Sequence, residues 1–364
     1  MDLNYSEEQI MLREQIQKFC ESEYDFYKRE EIVKSENDFD PSVWKLFSEQ
    51  GWLSMPFSED SGGFGFGAIE LSILFEEFGK ALVIEPYLST IVMSGMLLDK
   101  SQYEHKNELI ENICSGKLHI SLAISEVTNK YDYLLADTTL TNENILNGTK
   151  TLVLNGANAN KFIVTCTKDS ELTLVIVDSD ADGISVNSFT TIDGQSCAEV
   201  SFENVKISQS SIISSSDEAS NLVKEIINIA TLCISAEAVG CMESCYLKTV
   251  EYTKGREQFG QPISNFQVLQ HRMVDMFVES ELAKSLLFKA MLEINSNSDD
   301  KFKHVSALKS HVGNSGKLSA QDAVQLHGGM GVSEEMMIGH YLKKMVAIDA
   351  LFGNADYHLK KIAS

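Results

Sequence analysis

Two abrupt changes of hydrophobic period divide this chain and constrain what it can fold into. Up to about residue 115, apolar side chains recur at helical spacing, as in "YSEEQIMLREQIQKF" and "AIELSILFEEFGKAL". Short β-branched runs such as "KFIVTCT" and "LTLVIVD", separated by turn residues, follow from about 117. The helical period returns near 215. The pattern predicts an α+β protein with an N-terminal helical domain, a central β domain and a C-terminal helical domain, at residues 1–116, 117–212 and 213–364.

The strongest helical periods lie in the last of these domains. They predict four long helices, over 217–254, 265–295, 302–326 and 334–349. At the other end of the chain, Ser6 and Gln9 have the spacing of a capping box, which predicts that the first helix begins there.

The net charge of the chain limits the classes of partner that it can bind. The formal net charge is -23 without a basic stripe, which argues against nucleic acid because phosphate binding needs clustered Lys and Arg. No apolar run approaches the roughly 20 residues that span a bilayer, and the N-terminus resembles neither a signal nor a transit peptide. The scattered cysteines form no metal-ligand set with a nearby histidine. We therefore expect a cytoplasmic protein without a metal, a nucleic-acid partner or a membrane partner.

A long helical run breaks at "KGREQFGQPISNFQVLQH", residues 254–271. Arg256 can pair with a phosphate through two parallel N–H groups of its guanidinium, and Phe259 offers an aromatic face to a ring. A basic residue that complements the dipole at a helix C-terminus is the alternative, and it explains Arg256 but not Gln258 and Phe259 together. The stretch predicts a binding element at the break.

Paired glycines in "QLHGGMG", residues 325–331, follow another helical run. Without side chains, they permit the close approach of a flat or phosphorylated group to the backbone. A plain turn between two helices is an equally good interpretation of this motif taken alone.

Together these motifs and the domain order resemble one family over nearly the whole chain, the flavin-dependent acyl-CoA dehydrogenases. "REQFGQPISNFQVLQHRMVDM" and "QLHGGMGVSEE" look like two motifs of its C-terminal domain, and "AEVSFENVKIS" like the end of its β domain. "FSEDSGGFGFGAIELSILFEEFGKAL" is similar to its N-terminal loop and third helix. The ending "DALFGNADYHLKKIA" is most similar to the branch that includes pimeloyl-CoA dehydrogenase small subunits. The resemblance implies a β-barrel-like central domain and a C-terminal four-helix bundle.

The resemblance implies FAD as the cofactor and a neighbouring subunit as a partner. Family residues that match Arg256, Gln258 and Phe259 reach across a dimer interface to the pyrophosphate and adenosine end of an FAD bound mainly to the neighbour. A dimer or a tetramer of two dimers, of identical chains or with a related dehydrogenase chain, is therefore implied. An electron-transfer flavoprotein is the implied electron acceptor.

The second motif is implied to serve the same cofactor, because Gln325, Gly328 and Gly329 match a backbone turn that contacts it. The family's reaction removes the α-proton of an acyl-CoA thioester and passes a β-hydride to the flavin, which gives a 2-enoyl-CoA. It needs a carboxylate base in reach of the α-carbon, donors to the thioester oxygen and a dry site. Its place is in fatty acid metabolism and lipid degradation.

Both positions at which the family carries its base lack a carboxylate here. The usual Glu-Gly-Thr triplet reads Phe352-Gly353-Asn354, and the second known position, next to an Arg, falls at Ala230-Thr231. The backbone N–H of Phe352 still matches the family's second donor to the thioester oxygen. Asn354 matches a position that touches the flavin's phosphates or ribityl chain.

The residues that match the family's flavin-ring contacts are altered as well. The family's Trp-Ile-Thr is replaced by Leu152-Val153-Leu154, and a Thr followed by a Gly-rich loop is replaced by Ser125 and "EVTNKYD". Ser125 keeps the hydroxyl. The elements offered to a neighbour's flavin are thus retained, and those serving a flavin of this chain's own are weakened.

Three hypotheses follow for an acyl-CoA dehydrogenase of this composition. The chain is a subunit of a heteromeric enzyme, catalytically inactive itself but contributing FAD contacts across the interface. Alternatively, it is self-sufficient and its base has moved to Glu237, seven residues after Ala230 and so on a similar helical face; a surface or interface carboxylate is the plainer interpretation of Glu237. The third hypothesis is a non-catalytic scaffold on the same fold.

Overall fold

A computed structural model describes residues 5–35, 38–296 and 298–363, so residues 1–4, 36–37, 297 and 364 of the predicted domains lie outside the described residues. The predicted order of helices, β domain and helices is confirmed. By internal packing the chain divides into two compact units. The first comprises Met1–Glu30, Gly67–Val83 and Thr231–Ser364, and the second Glu31–Phe66 and Ile84–Ala230. The predicted boundaries between the three domains stay predictions.

The α-helices of the described residues follow the predicted periods and add short ones. They are α1 (Glu7–Ser22), α2 (Phe26–Val33), α3 (Pro41–Glu49), α4 (Ala68–Ala81), α5 (Met96–Lys100), α6 (Lys106–Cys114), α7 (Ser216–Gly255), α8 (Gln267–Asn295), α9 (Lys301–His311), α10 (Lys317–His327), α11 (Met337–Ala350) and α12 (Ala355–Ala363). The helix predicted over 302–326 is divided into α9 and α10 by a π-helical turn at Val312–Gly316. None of these helices combines the length and the apolar character that crossing a bilayer requires.

The capping box predicted for the first helix is present. The Ser6 hydroxyl accepts a hydrogen bond from the Gln9 backbone N–H at 3.2 Å, and the Gln9 side chain accepts one from the Ser6 backbone N–H at 3.0 Å. The two bonds satisfy donors that the first turn of α1 would otherwise leave without partners.

The second unit contains an eight-stranded sheet. Its strands are β1 (Ile120–Ala123), β2 (Thr139–Leu140), β3 (Ile145–Leu154), β4 (Lys161–Lys168), β5 (Glu171–Asp178), β6 (Ile184–Thr190), β7 (Ser196–Lys206) and β8 (Ile212–Ser215). The strand order is β6-β7-β3-β2-β4-β5-β8, and β1 pairs with β4 in parallel. One apolar cluster, which includes Phe162, Val164, Val200 and Phe202, forms its core.

In the first unit, α4 and α7 pack through two reciprocal glycines. A Cβ atom added to Gly79 of α4 would lie 2.0 Å from the Glu237 carbonyl oxygen, and one added to Gly240 of α7 would lie 1.9 Å from the Glu76 carbonyl oxygen. The Cys241 thiol donates to the Gly79 carbonyl at 3.2 Å. The helices approach backbone to backbone at this point, and each glycine is required by the other helix.

Candidate functional site

After α7 the chain forms an exposed β-hairpin with a two-residue turn. Strand β9 (Glu257–Gln258) pairs antiparallel with β10 (Gln261–Pro262). The turn residues Phe259 and Gly260 have φ values of 54° and 79°, and positive φ at both central positions is the pattern of a type I′ turn. We call residues Arg256–Gly260 the arm.

The side chains of the arm point to an external partner. Arg256 and Gln258 are exposed, and Phe259 is 92% exposed at a positive φ that a phenylalanine rarely adopts. The Gln258 amide donates to the Glu257 carbonyl at 2.8 Å, which holds the side chain along the hairpin. The Phe259 ring contacts Phe266 edge to face, with centroids 6.1 Å apart, and its large exposed surface suits a ligand or a partner outside the chain.

The glycine motif forms an exposed turn at the end of α10. Gly328 has a φ of 61°, and it begins a short 3₁₀ helix, Gly328–Val332. A Cβ atom at Gly329 would meet no atom within 4 Å, and the φ of Gly329 lies outside the left-handed region, so the fold itself does not require glycine there. Gly331 differs, because its Cβ would lie 2.5 Å from the Val324 carbonyl. The open backbone at 329 therefore suits close approach from outside, and Gln325 is exposed beside it.

Tyr252 and His327 join the base of the arm to the base of the glycine turn. Their rings stack with centroids 4.1 Å apart and planes at 23°. The His327 imidazole is buried beneath the turn. The structure thus brings together the two motifs that the resemblance assigns to one FAD.

The arm and the turn have the chemistry that the adenosine diphosphate part of FAD requires. The exposed Arg256 guanidinium suits a pyrophosphate, Phe259 offers a face to a flat ring, and the bare backbone at Gly328 and Gly329 allows close approach. On these grounds the residues fit the cofactor that the resemblance implies. Within the described ranges, no group of three or more His, Cys, Asp or Glu side chains is placed to hold a metal ion.

The position of the family's usual base is a strained and buried turn. Phe352 is 4% exposed with a φ of 60°, and Gly353 follows with a φ of 110°. The Phe352 carbonyl accepts a hydrogen bond from His358 Nε2 at 3.1 Å, and the Gly353 carbonyl accepts one from Lys309 Nζ at 2.6 Å. Burial lowers the pKa of Lys309 to about 8. Two buried donors thus hold the backbone of this turn, and the turn supplies no carboxylate.

Asn354 has a structural role in this turn. Its side-chain oxygen accepts a hydrogen bond from the Tyr357 backbone N–H at 2.9 Å and so caps α12. The cap explains why an Asn follows Gly353. Its role as a cofactor contact stays a prediction.

The alternative base positions lie in the middle of α7. Ala230 and Thr231 are buried and carry no carboxylate. Glu237 is 5% exposed, so it is neither a surface nor an exposed interface residue, and its Oε1 lies 2.9 Å from Lys344 Nζ of α11. The Lys344 side chain is itself 1% exposed. The pair accounts for Glu237 as one half of a buried ion pair, and its role as a base stays a prediction.

In the second unit, Ser125 follows β1 and Leu152 lies on a bulge of β3. The register between β3 and β7 shifts between Lys150 and Val153, and Leu152 is 37% exposed with a φ of 49°. Val153 and Leu154 are buried. Positions 152–154 therefore present only aliphatic side chains and no side-chain donor.

Sequence reasoning missed a buried ion pair beside Ser125. Glu126 Oε1 lies 2.6 Å from Nζ of the fully buried Lys150, which also donates to Thr165 Oγ1 at 2.9 Å. The same carboxylate accepts hydrogen bonds from the backbone N–H groups of Asp137 and Thr138. The segment that replaces the Gly-rich loop is thus anchored at its first residue, Glu126. A Lys in the middle of a β-branched strand was the available hint.

Acid should destabilise the turn at Phe352 through His358. Burial, helped by the Lys309 charge, lowers the pKa of His358 to about 4 from an ordinary value of 6.5. The stability that this neutral His contributes is complete above pH 6.5 and is lost as the pH falls toward 4, by up to about 3 kcal/mol. The His358→Gln variant keeps an N–H donor for the Phe352 carbonyl but cannot titrate. Denaturant unfolding of both proteins between pH 7 and 4.5 should show the flatter decline in the variant.

His119 serves as an internal control for that experiment. Burial lowers its pKa to about 4 as well, and it is present in both proteins. Only the difference between the two curves reports on His358. Parallel curves would contradict the prediction.

Comparison with known protein families matches nearly the whole chain to one family in three parts. The N-terminal domain of acyl-CoA dehydrogenase matches residues 6–117, the middle domain residues 121–205 and the C-terminal domain residues 220–364. The arm, the glycine turn and Phe352 all lie within the third match.

Individual proteins agree with the family models. The chain is 26% identical to "Probable acyl-CoA dehydrogenase YngJ" of Bacillus subtilis, with 100% of this chain and 99% of that protein covered. It is 27% identical to "Acyl-CoA dehydrogenase IpdE2" of Mycolicibacterium smegmatis, with 98% of each covered. Among solved structures, the ChsE4-ChsE5 complex from Mycobacterium tuberculosis superposes with a TM-score of 0.91 at 23% identity, covering 100% of this chain and 98% of that one.

Proposed function

Because this chain belongs to the acyl-CoA dehydrogenase family, we propose that it is a subunit of a heteromeric, FAD-dependent acyl-CoA dehydrogenase. The assembly converts an acyl-CoA thioester to a 2-enoyl-CoA, and bound FAD supplies the hydride acceptor. A related dehydrogenase chain supplies the base, and an electron-transfer flavoprotein takes the electrons. Within the family we place the chain in the pimeloyl-CoA dehydrogenase small-subunit branch, on its ending "DALFGNADYHLKKIA".

One contrast carries the proposal. The arm keeps Arg256, Gln258 and an almost fully exposed Phe259, whereas both base positions are buried and lack a carboxylate. A residue that abstracts a proton must reach the substrate, and Phe352 and Ala230 have no group that does so. The chain's own part in the reaction is therefore to bind and orient a cofactor through the arm and the glycine turn.

The turn at Phe352 retains one further contribution. Its backbone N–H has a fixed direction, because Lys309 and His358 hold the following carbonyls. Preorganised backbone donors stabilise developing negative charge on an oxygen. The proposal assigns this N–H to the thioester oxygen of the substrate. The fold is compatible with an assembly of two chains, as the ChsE4-ChsE5 complex illustrates.

Visible absorption spectra test the proposal directly. The chain should be colourless when purified alone, and flavin should appear at about one per heterodimer when it is co-expressed with a dehydrogenase-like chain encoded beside it. A yellow lone chain with about one flavin per subunit, bleached by an acyl-CoA, would overturn the heteromeric role. Absence of flavin from both preparations would instead support a non-catalytic scaffold.

Arg256→Gln should weaken FAD binding by the assembly by about 10- to 100-fold, because a hydrogen-bonded charge on a phosphate contributes roughly 1.5–3 kcal/mol. Equilibrium dialysis of the co-purified assembly against FAD measures the change. Arg272→Gln is the matched control, since Arg272 is paired with Asp322 at 3.1 Å on the surface of the same unit. Equal losses in the two variants would show that Arg256 does not contact the cofactor.

A further inference from the structure

The two cofactor elements of the first unit are joined by one aromatic contact. Tyr252 and His327 are 75 residues apart in sequence, and the Tyr252 hydroxyl donates to the His327 carbonyl at 3.3 Å. The Tyr252 carbonyl accepts the Arg256 backbone N–H at 2.9 Å, so Tyr252 lies at the base of the arm. His327 immediately precedes Gly328 and so lies at the base of the turn.

Each ring is fixed by its own helix. His327 is 4% exposed, and its Nδ1–H donates to the Ala323 carbonyl one turn earlier in α10, at 2.8 Å. Burial lowers the pKa of His327, and the hydrogen bond to Ala323 offsets this only in part, so the ring is neutral near pH 7. Tyr252 is half-buried in the last turns of α7. A neutral imidazole stacked at 4.1 Å on a phenol sets the spacing of the two helix ends.

We propose that Tyr252 and His327 are a positioning pair that fixes the arm relative to the glycine turn, so that both engage one dinucleotide without prior rearrangement. The inference rests on the proposed function. A two-stranded hairpin is marginally stable by itself, so the arm needs an anchor to keep Arg256 and Phe259 in register with Gly329. An element that is already ordered binds more tightly because less conformational freedom is lost on binding.

FAD titration of the flavin-depleted assembly, with this chain and its co-expressed partner present, tests the inference. Tyr252→Leu and His327→Leu should each raise the FAD dissociation constant about threefold to tenfold, the range that aromatic-pair energies give. The double variant should be no weaker than the weaker single variant, because either change alone removes the same contact. Tyr252→Phe keeps the stack but loses the hydrogen bond to the His327 carbonyl, so its dissociation constant should rise less than that of Tyr252→Leu.

Leu247→Ala, at an exposed position of α7, is the control for a general effect of substitution on that helix. Thermal unfolding of the flavin-depleted variants separates loss of stability from loss of positioning. Additive effects in the double variant, or dissociation constants equal to the wild type, would overturn the inference alone. A wild-type assembly that takes up no FAD would overturn the proposed function, and the inference with it.

Discussion

Replacement of Lys344 by Met should lower the free energy of unfolding by about 3–5 kcal/mol, which is the cost of leaving a buried charge without its counter-charge. The ammonium lies 2.9 Å from Glu237, and both side chains are almost fully buried. Methionine has a similar length and fills the space, so the loss reports the charge rather than a cavity. Chemical denaturation of the first unit's helices, followed by circular dichroism, measures it.

Two further variants decide what the pair does. Lys289→Met removes an ammonium that pairs with Glu293 on the surface of α8, where Lys289 is 49% exposed, and should cost less than about 1 kcal/mol. Glu237→Leu combined with Lys344→Met removes both charges and should recover most of the lost stability. A small effect of Lys344→Met would contradict the account of a buried pair.

The double variant also tests Glu237 as a relocated base. If the partner chain supplies the base, the assembly with Glu237→Leu and Lys344→Met should keep its dehydrogenase activity. Loss of turnover with stability and flavin content intact would establish Glu237 as the base and overturn the heteromeric division of labour.

Gly240→Ala should destabilise the first unit by about 3 kcal/mol or more, at the upper end of the usual cost of overpacking. The new methyl group would lie 1.9 Å from the Glu76 carbonyl oxygen of α4, and backbone cannot rotate away as a side chain can. Alanine favours a helix over glycine by about 1 kcal/mol, so the steric cost must exceed that gain for the prediction to hold. Thermal unfolding shows the change as a lower Tm.

Gly255→Ala is the matched control on the same helix, because a Cβ atom there meets nothing within 4 Å. It should be neutral or slightly stabilising, since only the propensity term remains. A Gly240→Ala protein as stable as this control would show that α4 and α7 can move apart without cost. Gly79→Ala should behave like Gly240→Ala, because each glycine contacts the backbone of the other helix at the same crossing.

The elements that could be predicted from the sequence are those determined by residues close together along the chain. The period of apolar residues is enough for α7 and α8, and the capping box at Ser6 needs only residues three apart. The break at the arm was predictable from the end of the helical period, whereas the positive φ of Phe259 was not, because phenylalanine is not one of the residues that favour such a turn. Asn354 matches a position at which the family contacts its cofactor. A position alone does not assign that role, because capping α12 accounts for the residue equally well.

What the sequence could not give is the partner of each buried charge. Lys309 meets the Gly353 carbonyl 44 residues away, and Lys150 meets Glu126 across 24 residues. Helical spacing indicates that Glu237 lies on the same face of α7 as Ala230. The same spacing does not indicate that Lys344 of α11 lies opposite that face. The alternation of a strand or the period of a helix shows which face is buried, and only the packed fold shows what lies opposite.

The 92% exposure of Phe259 has a consequence for genetics under the proposed function. In the proposed assembly the arm of one polypeptide contacts a cofactor that another polypeptide binds. A variant at Arg256 or Phe259 would therefore impair an active site that a different gene encodes. An intact second copy of this chain would restore that activity in trans, whereas extra copies of the partner would not. Natural variation in the arm should then follow variation in the partner's cofactor surface rather than changes elsewhere in this chain.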